Sequence, residues 1–192
     1  MDRRVYGKYE EIFSRLNVAG RVLEIGALPS RKSLLASGRL KAATEKVGLN
    51  LEGPQAFEDF KILKGDANDM AMFRDGYFDC VLCNAVLEHD RHFWKSLSEM
   101  RRVLAPGGLL VLGAPSFRDL LPRGAAKLAR GRNRLSSLLR NGAVCYRIHN
   151  APGDYYRFSE QAFREVFFEG FRDVVVETML TPPRTIAYGF RQ

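Results

Sequence analysis

The stretch RVLEIGALPSRKSLL, Arg21 to Leu35, decides how the chain is read. Val22, Leu23 and Ile25 form a short apolar run that stops at Gly26, the pattern of a strand in a buried sheet. Pro29 and Ser30 follow. Serine caps helices by accepting a backbone N–H, so the spacing predicts a helix over residues 31–41. A strand, a turn and a helix in this order often hold a nucleotide-like cofactor at the turn. A dinucleotide needs G-x-G-x-x-G there, so that the backbone can approach a pyrophosphate. The turn Gly26-Ala27-Leu28-Pro29-Ser30-Arg31 keeps one glycine, and Pro29 removes an N–H. It suits a cofactor without phosphates better.

Outward from this stretch the same reading repeats. Val5, Tyr9, Ile12, Phe13 and Leu16 share one helical face, which predicts a helix over residues 4–17. Strands are expected at 21–25, 45–52, 60–67, 78–86 and 109–115. A helix over residues 90–104 is stopped by Ala-Pro-Gly-Gly, and another begins at Ser159. Two last strands, 173–180 and 185–192, are separated by Thr-Pro-Pro. Near-continuous apolar strands alternating mostly with helices predict a doubly wound α/β fold with a parallel sheet covered on both faces. A parallel pair needs a long crossover, so the last two strands should be antiparallel. The 192 residues, 46% apolar, suit one domain over 1–192.

The N-terminal MDRRVYGKYEEIFSRL is charged throughout and has no apolar signal core. No run approaches the ~18 apolar residues of a membrane span. These features predict a cytoplasmic protein. Cys80 and Cys83 form a C-x-x-C inside the strand FDCVLCNAV. Residues three apart on a strand face opposite sides. The two thiols should therefore be core residues, not a shared metal site or a bridge.

Charge is uneven. Between Phe117 and His149 stand Arg118, Arg123, Lys127, Arg130, Arg132, Arg134, Arg140 and Arg147 against Asp119 alone. That segment carries +7 of the chain's +8. Leu121, Leu128, Leu135 and Leu139 recur at helical spacing, as do Arg123, Lys127, Arg130 and Arg134. Residues 117–149 thus read as a basic amphipathic helical insertion after the fifth strand. It suits a lid, an anionic membrane surface or a phosphate-binding patch. Against these stands a solvated helix covering the cofactor. Nucleic acid is less favoured, because single-strand readers interleave aromatics, and only Phe117 and Tyr146 flank this run.

Polar residues end the first three strands: Glu24–Gly26, Asn50–Glu52 and Asp66. Together with VLEIG, VGLNLE, GDAND and YFDCVLCNAVLEH…EMRRVLAPGGLLVL, they give a sequence that resembles the class I S-adenosylmethionine-dependent methyltransferases of the small-molecule branch, over roughly residues 21–116. HNAPGDYYRFSEQAF resembles a later segment of some of these enzymes. The resemblance implies a Rossmann-like, seven-stranded sheet with its last strand antiparallel, and S-adenosylmethionine as cofactor. It matches Glu24, Gly26 and Ala27 to the cofactor loop, and Asn50 with Leu51 to the ribose-binding position. Asn50 replaces the usual acid there, and Glu52 is a candidate substitute. Asp66 and Ala67 match the adenine end, and Asn84 the methionine end. Leu28 and Ser30 stand where the family has further glycines.

Candidate acceptor-side residues are His89, His149 and Tyr155. A histidine titrates near neutrality and can act as a general base; His89 can equally be structural at the start of the next helix. His149, Asp154, Tyr155, Tyr156 and Arg157 share a Pro-Gly loop of the kind that contacts substrate, or is simply anchored by Asp-Arg and Tyr contacts. The expected activity is methyl transfer to a small or lipid-linked, anionic acceptor. The alternatives are a nucleic-acid methyltransferase using the basic segment, and a non-catalytic binding module of the same fold.

Overall fold

The computed structural model describes residues 1–120, 137–139, 142–145 and 153–192. Helix α1 (Arg3–Leu16) is capped by the Asp2 carboxylate, which accepts the Arg4 N–H at 2.8 Å. It buries Val5, Tyr9, Ile12 and Phe13, the face its spacing predicts. Strands β1 (Ala19–Ile25), β2 (Ala42–Asn50), β3 (Gln55–Phe57), β4 (Phe60–Lys64) and β5 (Phe78–Asn84) follow. Helix α2 (Phe93–Val103) leads into β6 (Leu104–Pro115). Strands β7 (Phe117–Asp119) and β8 (Ala143–Cys145) form a separate antiparallel ribbon. Helix α3 (Glu160–Ala162), capped by Ser159, continues as a π-helical turn Phe163–Phe167. Strands β9 (Phe171–Leu180) and β10 (Pro183–Arg191) end the chain.

The main sheet has the order β3-β4-β2-β1-β5-β6-β10-β9. Strands β4, β2, β1, β5 and β6 are parallel, and β10 runs antiparallel between β6 and β9. This is the mostly parallel, doubly wound architecture the sequence predicts, with β9 and β10 joined antiparallel as expected. Among the described residues the sheet has eight strands instead of seven. The addition is β3, which folds back on β4 through Glu58-Asp59 at the sheet edge and packs Phe57 against Phe60.

Alternation along the strands fills two cores. On one face Leu23, Ile25, Val81, Cys83, Leu110 and Leu112 meet Leu97 and Met100 of α2 and Phe163 and Phe167 at α3. On the other Val22, Cys80, Leu82 and Val111 meet α1. Cys80 and Cys83 are buried, free and on opposite faces, as the strand period requires. Burial pushes both thiols well above their ordinary range.

The predicted helix over residues 31–41 does not form. The chain makes only a 3-10 turn, Leu34–Ala36. Ser30 does not cap a helix; its hydroxyl accepts the Lys32 N–H at 3.3 Å in a local turn. Ser33, Ser37 and Gly38 weaken helical propensity in this stretch. Short turns also replace helices between β2 and β5, so the α/β alternation is one of topology more than of helix content. The central part of the basic insertion, with Leu121, Leu128, Leu135, Arg123, Lys127, Arg130 and Arg134, lies outside the described residues, as does His149.

Close packing between strand and loop shows at Gly48, in the middle of β2. A Cβ there would sit 2.5 Å from the Cβ of Ala27 and 2.9 Å from Cγ1 of Ile62. Gly48→Ala should therefore destabilise the fold by about 1–3 kcal/mol, the usual cost of overpacking. Urea unfolding of the two proteins measures this, and equal midpoints would show that the loop yields freely.

Candidate active site

The carboxyl ends of β1, β2, β4 and β5 surround a cleft of about 320 Å³. That volume lies within the range of small-molecule sites, roughly 300–1,000 Å³. It is where a doubly wound sheet places a ligand, beside the strand from which the order runs both ways. One wall comes from Ile25 and Gly26, Leu49–Leu51 and Gly65–Asn68; the other from Val86 and His89–His92.

Gly26 turns the chain at the end of β1 with φ +78°. A Cβ there would meet Cγ2 of Val86 at 2.5 Å across the cleft floor. The position therefore needs glycine for two reasons, its backbone conformation and the nearness of the second wall. The Gly26 N–H donates to the Leu49 carbonyl at 2.8 Å, and the Gly65 N–H to the Asn50 carbonyl at 2.8 Å. These bonds join the ends of β1, β2 and β4.

Asn50 is committed to the same framework. Its Nδ2 donates to the Ala27 carbonyl at 2.8 Å, and its Oδ1 accepts the Glu52 N–H at 3.2 Å. Leu51 is exposed on the cleft rim. Glu52 lies just beyond the cleft lining, exposed, and its carboxylate has no partner among the described residues. Asp66 lines the cleft and accepts from Asn68 through Oδ1, by the backbone N–H at 2.8 Å and by Nδ2 at 3.2 Å. Ala67 lies beside it.

Three sequence candidates are placed otherwise. Glu24 does not face the cleft. Its carboxylate is buried, accepts the Leu34 and Leu35 N–H groups at 3.1 Å each, and accepts the Ser33 hydroxyl. Glu24 shares the strand face of Val22, two residues before it, and its side chain follows Val22 toward α1, away from the turn at Gly26. Ala27 is buried under the loop and contributes its carbonyl to Asn50. Asn84 turns inward: its Oδ1 accepts Nη1 of Arg184 at 2.6 Å. Arg184 is itself buried and lies 4.0 Å from the fully buried carboxylate of Glu88.

On the second wall, His89 is half-buried and lines the cleft. Tyr155 stands on the loop before α3, and its hydroxyl accepts Nε of Arg91 at 2.7 Å. Asp90, Arg91, His92, Val86 and Asn68 also line the cleft and were not singled out by sequence reasoning. The signal for them was adjacency: each lies within three residues of Asp66, Asn84 or His89, in the loops that a doubly wound sheet exposes.

The comparisons agree with this geometry. Residues 30–112 match a family model described as a methyltransferase domain. A probable methyltransferase, ltbC, of Aspergillus luteorubrus is 42% identical over 92 residues, 45% of this chain and 30% of that protein. A 37.1 kDa transposon-encoded protein of Streptomyces fradiae is 35% identical over 83 residues, 42% of this chain and 24% of that one. The chain thus spans less than a third of the length of either relative. An S-adenosylmethionine-dependent methyltransferase from Archaeoglobus fulgidus superposes with a TM-score of 0.67 at 16% identity, covering 97% of this chain and 93% of that one. In the sequence of residues 30–112 and in its fold the chain is thus similar to S-adenosylmethionine-dependent methyltransferases. No helix among the described residues is long and apolar enough to cross a membrane.

Burial raises the Glu24 carboxyl above its ordinary value, opposed by its hydrogen bonds to Ser33, Leu34 and Leu35. A carboxyl whose pKa rises on folding favours the native state most below the ordinary value. That contribution is lost as the pH climbs through the raised one. Glu24→Gln should remove this pH-dependent component. The difference in urea stability between wild type and Glu24→Gln, followed from pH 4 to 8, should shift steadily against the wild type; a constant difference would show that the carboxyl titrates as it does unfolded.

Proposed function

We propose that the cleft binds S-adenosylmethionine and that the protein transfers its methyl group to a small or lipid-linked acceptor that carries negative charge. The observation that carries the reading is the convergence of four strand ends on one cleft, built around a single-glycine turn. The fit rests on donor chemistry. The cleft offers apolar flanks in Ile25, Leu49, Leu51 and Val86 for a purine and its sugar, with Asp66 and Asn68 as polar groups at one end. Its turn offers no stack of N–H groups for a pyrophosphate, since Ala27 is buried and residue 29 is proline.

When bound, the cofactor supplies a methyl group already activated by a sulfonium. The protein's part is then alignment, which can account for much of a methyl-transfer rate. Gly26, Leu49 and Leu51 would hold the adenosine against the first wall. Asp66 would accept a hydrogen bond from the adenine amino group. With Asn50 tied to the loop, Glu52 is the freer group for the ribose hydroxyls. His89, which lines the second wall, would take a proton from an acceptor hydroxyl where one must leave early. The basic segment would cover the acceptor side, drawing in an anionic acceptor or an anionic membrane surface. A nucleic-acid acceptor, using the same cations, is the second reading. A binding module without catalysis is the third.

Calorimetry with S-adenosylhomocysteine tests the cofactor. Binding in the micromolar to sub-millimolar range is expected, and Asp66→Ala should weaken it by about 1 kcal/mol or more. Tighter binding of a nicotinamide dinucleotide would end the reading. Glu52→Gln should cost more cofactor affinity than Asn50→Ala; the reverse order would return the ribose to Asn50.

Replacing Arg123, Lys127, Arg130 and Arg134 together by Gln should leave cofactor affinity within about a few-fold and weaken binding to anionic vesicles, most at low salt. A steep salt dependence of RNA or DNA binding in the wild type would favour the nucleic-acid reading instead.

A further inference from the structure

We propose that Arg91 is the anion-binding group of the acceptor site, and that the acceptor presents a carboxylate or a phosphate to it. The inference rests on the methyltransferase reading in one respect: it gives the second wall to the acceptor because the first is assigned to the cofactor.

Arg91 lines the cleft on the loop between β5 and α2. An arginine on an exposed loop ordinarily samples many rotamers, and binding an anion must order it. This one is already held. Its Nε donates to the Tyr155 hydroxyl at 2.7 Å, and its guanidinium carbon lies 5.2 Å from the Tyr155 ring centroid. The tyrosine in turn cannot drift. The N–H groups of Tyr155 and Tyr156 donate to the Glu88 carbonyl at 2.7 and 3.3 Å, and the Tyr156 hydroxyl donates to the Arg91 carbonyl at 3.0 Å. The loop that grips the side chain of Arg91 is thus bonded to the backbone on either side of it.

Holding the fork by Nε leaves Nη1 and Nη2, which have no partner among the described residues. Two parallel N–H groups at the end of a planar guanidinium match the two oxygens of a carboxylate or phosphate. The neighbouring acid does not compete, because Asp90 is occupied: it accepts the His92 N–H at 2.8 Å and the Ser96 hydroxyl at 2.6 Å. His92, also exposed and in the cleft lining, adds a second donor on the same wall. A fixed cation with open donors, facing a cleft beside a spent carboxylate, recognises an anionic oxygen pair.

The test is calorimetry on the protein saturated with S-adenosylhomocysteine, using phenyl phosphate, benzoate and neutral benzamide as probes. The two anions should bind and benzamide should not, and the stronger of the two names the acceptor's group. Arg91→Gln should weaken the anions about ten-fold, as the loss of a charge-assisted hydrogen bond does, with cofactor affinity held within about two-fold. Arg91→Lys should restore part of the loss. Tyr155→Phe, which keeps the ring and frees the fork, should weaken the anions by about a few-fold. Equal anion binding by wild type and Arg91→Gln overturns the assignment. So does a matching loss of S-adenosylhomocysteine affinity, which would give Arg91 to the cofactor. If the wild type binds no S-adenosylhomocysteine, the methyltransferase reading fails separately. Arg91-dependent binding of phenyl phosphate to the cofactor-free protein would then still uphold the anion site, and its absence would overturn it.

Discussion

The carboxylate of Glu24 sets the course of the chain on which the site is built. It projects from the penultimate residue of β1, between Gly48 of β2 and Leu82 of β5, where water hardly reaches. A carboxylate in such a place is costly unless it is fully hydrogen-bonded. Its donors all come from one short turn, the Ser33 hydroxyl and the Leu34 and Leu35 N–H groups. The chain leaving β1 must therefore dive back under the sheet within ten residues. No length remains for a helix, and Leu34 and Leu35 are drawn into the core beside α1. The polar residue in VLEIG is thus an internal anchor, and the turn at Gly26 lies above it.

From that anchor the two walls of the cleft differ in kind. The first is knitted by backbone bonds between neighbouring strand ends, with Asn50 adding a side-chain staple to Ala27. Its parts move as one piece, as a preorganised binding surface must. The second wall is a loop braced by another loop. Residues 88–92 take their support from Tyr155 and Tyr156, and Tyr156 leans on Phe93 and Phe158. The aromatic cluster continues to Phe167 under α3. The support of the second wall therefore runs into the core of the domain even though its upper surface is open.

How legible was this in the sequence? The strands were, because buried parallel strands are apolar along their whole length and Gly or Asn marks their ends. Cys80 and Cys83 followed from strand period alone. The helix over residues 31–41 was misread because capping and spacing are local signals, whereas Glu24 acts through tertiary contact from outside the segment. The edge strand β3 was missed because three residues with one partner carry almost no periodic signal. At the site, strand-end residues were readable by position, but direction was not. Glu24 and Asn84 turn inward, and Arg91 and His92 open onto the cleft, and only the fold decides that. Arg184 had no sequence signal at all; its partners Asn84 and Glu88 are about a hundred residues away.

That last contact follows from the direction of one strand. Because β10 is antiparallel, it begins where β6 ends, with Arg184 opposite Pro115 and Thr185 opposite Ala114. Its first residues therefore enter the sheet at the carboxyl edge, the edge at which the parallel strands present their loops. A parallel strand in the same slot would deliver its last residues there instead. The reversal places a buried guanidinium against Asn84 of β5 and near the buried carboxylate of Glu88, two residues before Asp90 and three before Arg91. Opposite charges buried side by side offset part of each other's desolvation cost. Arg184 and Glu88 hence hold the root of the second wall in register with the sheet. The antiparallel strand that flanks the parallel array at β6 is, in this sense, part of the site.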